Sequence, residues 1–246
     1  MITIVSPRIH NLGDFMNCLP ALSGFYNFTN EKMWFIICDN LQQFKGIKEL
    51  LLYQEMFAKV TFLHEEPFES GILLDDTGNY SPELNCPIST IRYANFIKST
   101  LQINFEIDKD FELQVPELSV EDVNDKIIVG DRWSLQIATQ LDTRRKSNMI
   151  ESSGVMKNES VHYLDYTKDL VYNCNLIKYN KNPFITTFTG IGIIADLMKK
   201  DCYILWGEDI RNWDNKPIEY SFDVHYFKNR NAKLVYINNF DVNTIK

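Results

Sequence analysis

Residues 184–214 read FITTFTGIGIIADLMKKDCYILWGEDIRNWD, and this stretch decides the fold class. The apolar run at 184–188 predicts a strand, a Thr-Gly turn follows it, and residues 191–199 have the apolar spacing of a helix. A second apolar run at 202–206 predicts another strand, which ends at a Gly turn. Because a strand, a helix and a second strand form the repeating unit of a parallel sheet, the stretch predicts an α/β fold.

The same alternation of strands and helices extends over the rest of the chain. Further strands are predicted at 2–6, 33–38, 59–63, 71–74, 126–129, 161–164 and 234–237. Helices are predicted at 15–26, 41–57, 91–101 and 167–177, the last with Thr167 as its N-cap. Between them, residues 105–126 are acidic and contain Pro116, which indicates a boundary. We therefore predict two sheet-and-helix domains, residues 1–118 and 119–246, with a ligand cleft between them.

The composition excludes several classes of protein. A formal charge of −8 disfavours a broad nucleic-acid surface, although it leaves open a local basic groove. Five cysteines, an odd number without a CxxC pair, predict neither a disulfide framework nor a zinc site. No run approaches the ~20 apolar residues that span a bilayer. We expect a cytoplasmic protein, and a peripheral contact with a membrane surface stays open.

A Gly-Asp pair is the first candidate for chemistry. Gly13 and Asp14 follow the first predicted strand and stand at the start of a predicted helix. Glycine allows the backbone to come close to another group, and a carboxylate is favoured at a helix start by the unpaired amides. Such a carboxylate either caps its helix or accepts a proton from a substrate hydroxyl.

The residues around this pair resemble a known family. Residues 10–26, HNLGDFMNCLPALSGFY, are similar to the N-terminal signature of the ADP-heptose:lipopolysaccharide heptosyltransferases, in which Gly-Asp precedes Leu-Pro-Ala-Leu. The matching residues are Gly13, Asp14, Leu19, Pro20, Ala21 and Leu22. The resemblance implies that Asp14 is the general base and that His10, Asn11 and Gly13 lie beside the acceptor in the cleft.

The stretch at 184–214 resembles the nucleotide-binding half of the same family. Thr189 and Gly190 match its loop, and Trp206, Gly207 and Trp213 resemble the end of its next strand. Phe188 and Ile193 differ from the Asp and His that are usual there. The resemblance implies donor contacts from the following residues: Thr187, Thr189, Gly190, Gly207 and Glu208. Arg132, directly after a predicted strand, is suited to a bidentate contact with a diphosphate.

The resemblance implies two Rossmann-like lobes of the GT-B type and an enzyme, a glycosyltransferase. Its reaction would transfer a sugar from a nucleotide-sugar co-substrate to an acceptor hydroxyl, with inversion and without a metal or another cofactor. The acidic charge favours a saccharide acceptor over a modified base in DNA. A non-catalytic module that only binds a nucleotide or sugar is the alternative from another class.

Metal-dependent and other catalytic classes have weak support. Asp108-Lys109-Asp110 has the Asp-x-Asp pattern of a cation-binding pair. It lies in the acidic connecting segment, however, and this position favours a turn. The four histidines have no metal-ligand spacing, and His10 alone is expected near the cleft. No G-x-S-x-G elbow, Walker loop or complete G-x-G-x-x-G occurs, so hydrolase, NTPase and dinucleotide-oxidoreductase motifs are absent from the sequence.

Overall fold

The apolar runs in the first half of the chain form a four-stranded sheet. The computed structural model describes residues 1–7, 12–74, 86–130, 160–206, 222–223, 225–227 and 231–241. The strands of the first sheet are β1 (Ile2–Val5), β2 (Met33–Ile37), β3 (Phe57–Phe62) and β4 (Ile72–Leu73). Their order is β3-β2-β1-β4, and every pair is parallel. All five residues of β2 are buried, as a strand covered on both faces requires.

The second half forms a five-stranded sheet. Its strands are β5 (Ile127–Gly130), β6 (Val161–Tyr163), β7 (Phe184–Thr186), β8 (Cys202–Trp206) and β9 (Ala232–Tyr236). Their order is β6-β5-β7-β8-β9, and again every pair is parallel. The predicted α/β class is therefore confirmed.

Six helices are described beside these sheets. They are α1 (Leu12–Met16), α2 (Leu19–Thr29), α3 (Ile47–Leu52), α4 (Ile88–Leu101), α5 (Leu170–Tyr179) and α6 (Gly190–Leu197). Two short 3₁₀ turns occur at Asp39–Gln43 and Ile237–Asn239. In the part of the chain that the structure describes, none of the helices has the length and apolar character needed to cross a membrane.

Three helix predictions are wrong in detail, each for a local reason. The single helix expected over 15–26 is divided after α1, because Pro20 stands in the first turn of α2 and cannot continue a preceding helix. The helix expected over 41–57 is reduced to α3, because Gly46 has a φ of 84° and its left-handed backbone interrupts the turns. The N-cap of α5 is Asp169, whose carboxylate accepts the Val171 amide at 2.7 Å; Thr167 instead donates its hydroxyl to Asp165.

The acidic connecting segment is extended and lies against both halves. Residues 103–126 are all described and form neither helix nor strand. Phe105, Ile107, Leu113 and Val115 are buried in it at alternating positions. The amide of Leu113 donates to the Leu197 carbonyl of α6 at 2.8 Å. The segment is thus a packed connection, and the exact domain boundary at 118 stays a prediction.

One hydrophobic core contains residues of both halves. It includes Phe15 and Leu22 from the first half and Ile193 and Leu197 from α6. α1 and α2 contribute apolar residues to the same core as α6, so the two halves pack against each other at these helices. The contact between α1 and α6 therefore determines the position of the candidate site.

Candidate active site

The starts of α1 and α6 touch through two glycines. A Cβ atom at Gly13 would overlap the Cδ1 of Ile193 and lie 3.2 Å from the Cα of Gly190. A Cβ atom at Gly190 would lie 2.9 Å from the Gly13 amide nitrogen. Real Cβ atoms essentially never come within 3.0 Å of backbone, so a side chain at residue 190 would separate the two helix starts, whereas one at residue 13 would have to displace the flexible end of Ile193 and press on the Gly190 backbone. The Gly13-Asp14 pair and the Thr189-Gly190 loop, predicted to belong to one site, are therefore brought together.

Asp14 lies in the first turn of α1 and points away from the core. The other residues of this helix, Leu12, Gly13, Phe15 and Met16, are buried. The Asp14 side chain is 25% exposed, and its Oδ1 lies 3.1 Å from the Nδ1 of His225. Because four of the five residues of α1 are buried, the orientation of this helix is fixed. The Asp14 carboxylate therefore lies on the exposed side of α1 and faces His225, which comes from the other end of the chain.

His225 is a site residue that the sequence did not predict, since His10 was the histidine expected there. Its Nδ1 is shielded from solvent, while its side chain as a whole is 29% exposed. Burial lowers the pKa of the His225 imidazole, and the negative charge of Asp14 opposes this only in part. The neutral imidazole is therefore the favoured form near neutral pH.

Aromatic contacts hold the backbone on both sides of His225. The rings of Phe222 and Tyr226 stack with centroids 4.8 Å apart, and Phe188 contacts both edge-on, at 6.4 and 6.0 Å. We call residues 222–223 and 225–227 the His225 segment. The Phe227 amide, at its end, donates to the buried Asp196 carboxylate of α6 at 3.4 Å. The segment is thus fastened to α6 and to the loop before it.

The Thr189 hydroxyl has a structural role at the start of α6. Its Oγ1 accepts the Gly192 amide at 3.3 Å, which caps the helix. It also lies 3.0 Å from the Oγ1 of Thr186, which itself donates to the Gly130 carbonyl at 2.6 Å. Because the Thr186 proton is used on Gly130, Thr189 donates to Thr186. The hydroxyls thus connect α6 to β7 and β5.

Beside this loop, two buried hydroxyls have no hydrogen-bond partner among the described residues. They are the Oγ1 of Thr187, a residue 1% exposed, and the hydroxyl of Tyr226, also 1% exposed. Within the described residues neither finds a donor or an acceptor. An unsatisfied buried hydroxyl costs about 1–3 kcal/mol.

Solved structures of glycosyltransferases are similar to the chain. The heptosyltransferase WaaC of E. coli, solved with ADP, has a TM-score of 0.58 at 8% identity, covering 100% of this chain and 98% of that one. A glycosyl transferase family 9 protein of Veillonella parvula has a TM-score of 0.57 at 11% identity, covering 96% and 86%. The E. coli ADP-heptose lps heptosyltransferase II has a TM-score of 0.51 at 11% identity, covering 98% and 95%.

Neither a protein-family model nor a curated protein sequence matches the chain. The chain shares the fold of these heptosyltransferases. The resemblance drawn from residues 10–26 and 184–214 is therefore confirmed as a likeness of fold.

The two departures from the heptosyltransferase pattern have a packing role. Phe188, in place of the usual Asp, contacts the aromatic rings of the His225 segment. Ile193, in place of the usual His, fills the space that Gly13 leaves open. Ile193 thus contributes to the contact between the two halves, whereas Phe188 contributes to packing within the second half.

Several predicted site residues lie outside the described part of the heptosyltransferase-like fold. His10 and Asn11 fall within residues 8–11, Arg132 within 131–159, and Gly207 and Glu208 within 207–221. The described part of the candidate site consists of Gly13, Asp14, Thr187, Thr189 and Gly190, and His225 and Tyr226 are further candidates beside it.

Across the described ranges, no three His, Cys, Asp or Glu residues are grouped to hold a metal ion. Asp108 accepts the Ser23 hydroxyl at 2.6 Å and the Asp110 amide at 3.1 Å, so it organises a turn, as its setting in the sequence predicted.

Proposed function

We propose that the chain is a glycosyltransferase that moves a sugar from a nucleotide-sugar donor to an acceptor hydroxyl. The observation that carries this proposal is the Asp14 carboxylate beside the point where the starts of α1 and α6 touch. The fold shared with the heptosyltransferases supports the reaction class. Inversion, and independence from metal and other cofactors, are proposed from the sequence resemblance.

Asp14 is proposed as the proton acceptor. The acceptor oxygen forms a bond to the anomeric carbon while its proton passes to a carboxylate oxygen of Asp14. The bond between the anomeric carbon and the diphosphate oxygen breaks, and its electron pair leaves with the nucleoside diphosphate. A positioned carboxylate contributes about 10²- to 10⁴-fold to such a step.

The donor diphosphate is proposed to bind beside the start of α6, where backbone amides and the helix dipole favour an anion. Gly13 occupies the space where a side chain of residue 190 would stand. The diphosphate would therefore approach the start of α6 from the side of Thr187. The buried Thr187 hydroxyl, unpartnered among described residues, would gain an acceptor there. Arg132, Gly207 and Glu208 are proposed to complete the donor contacts.

We propose residues 1–118 as the acceptor domain and 119–246 as the donor domain, with the reaction in a cleft between the two lobes. This division is supported by the two sheets, since β1 to β4 all precede residue 74 and β5 to β9 all follow residue 126. His10, Asn11 and Gly13 would line the acceptor side.

The acceptor is proposed to be a saccharide, because a net charge of −8 disfavours binding to DNA. E. coli WaaC has ADP in its structure, which suggests a nucleoside diphosphate as the first donor group to examine. All five cysteines are unpaired, which suits a reducing compartment such as the cytoplasm.

The test combines ligand binding with turnover. Nucleoside diphosphates and nucleotide sugars are screened by thermal shift on wild type and on Asp14→Asn, because a ligand bound only by the folded state stabilises it, by about 2.7 kcal/mol at 100 times its Kd. Release of nucleoside diphosphate is then measured with saccharide and DNA acceptors.

Stabilisation of both proteins by one nucleotide class, with turnover only in wild type, supports the proposal. Binding of a nucleotide without turnover by wild type would favour the non-catalytic module, and turnover on DNA alone would replace the saccharide acceptor. Asp39→Asn is the matched control, because Asp39 also contacts a histidine but its side chain is 45% exposed.

A further inference from the structure

The contact between Asp14 and His225 constrains the proton on the imidazole. A carboxylate is only an acceptor, so the imidazole nitrogen that faces it at 3.1 Å must carry a hydrogen to be attracted. The alignment is poorer than that of a regular hydrogen bond, and no described residue supplies another partner for this nitrogen. Such contacts in ligand-free enzymes often tighten when substrate binds.

The neighbours of His225 in the chain, and not only Asp14, determine where its imidazole lies. The rings of Phe222 and Tyr226, which precede and follow His225 in the chain, stack on each other, and the Phe227 amide donates to Asp196 of α6. The segment therefore brings the imidazole to Asp14 on a support that belongs to the same half as the Thr189-Gly190 loop. Any change in the distance between the two halves would alter this contact.

We infer that His225 is a positioning residue for Asp14: its Nδ1–H faces Oδ1 and holds the carboxylate in the orientation in which it accepts the proton of the acceptor hydroxyl. This inference rests on the proposed function. The proton moves from the acceptor oxygen to the Asp14 carboxylate, the bond to the anomeric carbon forms, and the diphosphate leaves with its electron pair. His225 keeps its Nδ1 proton throughout, so its role is to hold the carboxylate in one orientation.

The charge state of the pair suits this role. Burial lowers the pKa of His225, so the ring is neutral near neutral pH and its N–H holds Asp14 without cancelling the carboxylate charge. An imidazolium in the same place would make Asp14 a weaker base. A carboxylate that is held in one orientation is also closer to the reactive geometry than one that rotates freely.

Two substitutions at His225 separate positioning from proton transfer. The amide nitrogen of His225→Asn can stand near the place of Nδ1 and donate, yet it does not titrate, whereas His225→Ala removes the donor. We expect kcat to fall by about 10- to 100-fold in His225→Ala and to recover to within about fivefold of wild type in His225→Asn. The KM for the donor should change by less than about threefold in both.

The inference is overturned if His225→Asn is as impaired as His225→Ala, since the ring would then itself take the proton. It is also overturned if His225→Ala keeps wild-type kcat. Thermal unfolding of both variants confirms that each is folded at the assay temperature.

A second readout does not require turnover. Nitrogen-15 NMR of the histidine rings should show the Nδ1–H tautomer for His225, and in Asp14→Asn the pKa of His225 should fall further, because the carboxylate charge that raises it is gone. His64, which lies 2.7 Å from Asp39, is the internal reference and should not change.

The Nε2–H tautomer, or a His225 pKa unchanged in Asp14→Asn, would contradict the inference. A wild-type protein that transfers no sugar but shows the expected NMR result would remove the proposed function and leave the Asp14–His225 pair as a structural contact.

Discussion

Two aspartate–histidine pairs in this molecule are built differently. Asp39 and His64 follow neighbouring strands of the first sheet, lie 2.7 Å apart, and have side chains 45% and 56% exposed. Asp14 and His225 come from opposite ends of the chain, lie 3.1 Å apart, and are 25% and 29% exposed. In the first pair, the hydrogen bond from His64 lowers the pKa of Asp39; in the second, burial lowers the pKa of His225.

We infer from this difference that the Asp14–His225 pair is the one suited to chemistry. An exposed ion pair is screened by water and contributes little, about 0–1 kcal/mol. In a partly shielded pair, burial keeps the imidazole neutral. Its single N–H proton then stays on one nitrogen, where it can orient the carboxylate for a reaction. The comparison therefore predicts large effects at residues 14 and 225 and small ones at residues 39 and 64.

The largest expected effect is on turnover by Asp14→Asn. Replacing the proposed proton acceptor by an amide of the same shape should lower kcat by about a thousandfold, because the amide cannot take the acceptor proton. Asp39→Asn should stay within about twofold of wild type. Steady-state release of nucleoside diphosphate measures both, and equal losses in the two variants would remove the distinction between the pairs.

The second-largest effect is expected from Gly13→Ala, because its methyl group would push α1 away from α6. Its methyl group would overlap Ile193 and press on Gly190, so we expect a loss of about 1–3 kcal/mol in the free energy of unfolding. Because Asp14 would move relative to His225, kcat should fall by about a hundredfold.

Urea unfolding and kinetics of Gly13→Ala, Ile193→Ala and the double variant check this prediction. The double variant should recover part of both losses, since removing the Ile193 side chain makes room for the new methyl group. Strictly additive losses would show that the two positions do not contact each other.

A smaller effect is expected in the pH dependence of stability. The folded-state pKa of His225 lies below its ordinary value of 6.5, so at mildly acidic pH the unfolded chain binds more protons at this residue. Its contribution to stability is therefore complete well above pH 6.5 and is lost as pH falls through that value toward the folded pKa.

Urea unfolding at about pH 7.5 and about pH 5.5 tests this dependence. Wild type should lose more stability on acidification than His225→Asn, which cannot titrate there. Identical losses would mean that His225 has the same pKa in the folded and unfolded states.

The smallest effect is expected for stability in Asp39→Asn. Asp39 and His64 are both exposed, so the free energy of unfolding should change by about 0.5 kcal/mol or less at neutral pH. Chemical denaturation measures it. A loss above about 2 kcal/mol would mean that the pair is more strongly shielded from solvent than the exposure of its side chains indicates.

Much of the fold was predictable because its strands are continuous apolar runs. The sequence predicted β2 and β8 to within a residue, and the structure buries most of their side chains. Helix ends were harder, since they depend on single residues: Pro20 divides α1 from α2, and Gly46 limits α3. Asp169 was missed as an N-cap because Thr167, two residues earlier, is an equally suitable residue type.

The candidate site was predictable only in part. The Gly-Asp and Thr-Gly pairs were found because each follows a strand, and their contact depends on the absence of side chains at Gly13 and Gly190. His225 was missed because its segment has no motif and reaches Asp14 only through tertiary contacts. The one signal was a histidine among aromatic residues at 219–227, EYSFDVHYF, which is typical of a partly buried ring.

A crystal structure of Asp14→Asn with an intact nucleotide sugar would show whether α1 and α6 together form the active site, since this variant should bind the donor without consuming it. We expect the diphosphate within about 3.5 Å of the amides at the start of α6, with the anomeric carbon open toward residue 14. A donor bound elsewhere, or with its anomeric carbon turned away from residue 14, would contradict the claim that α1 and α6 together form the active site.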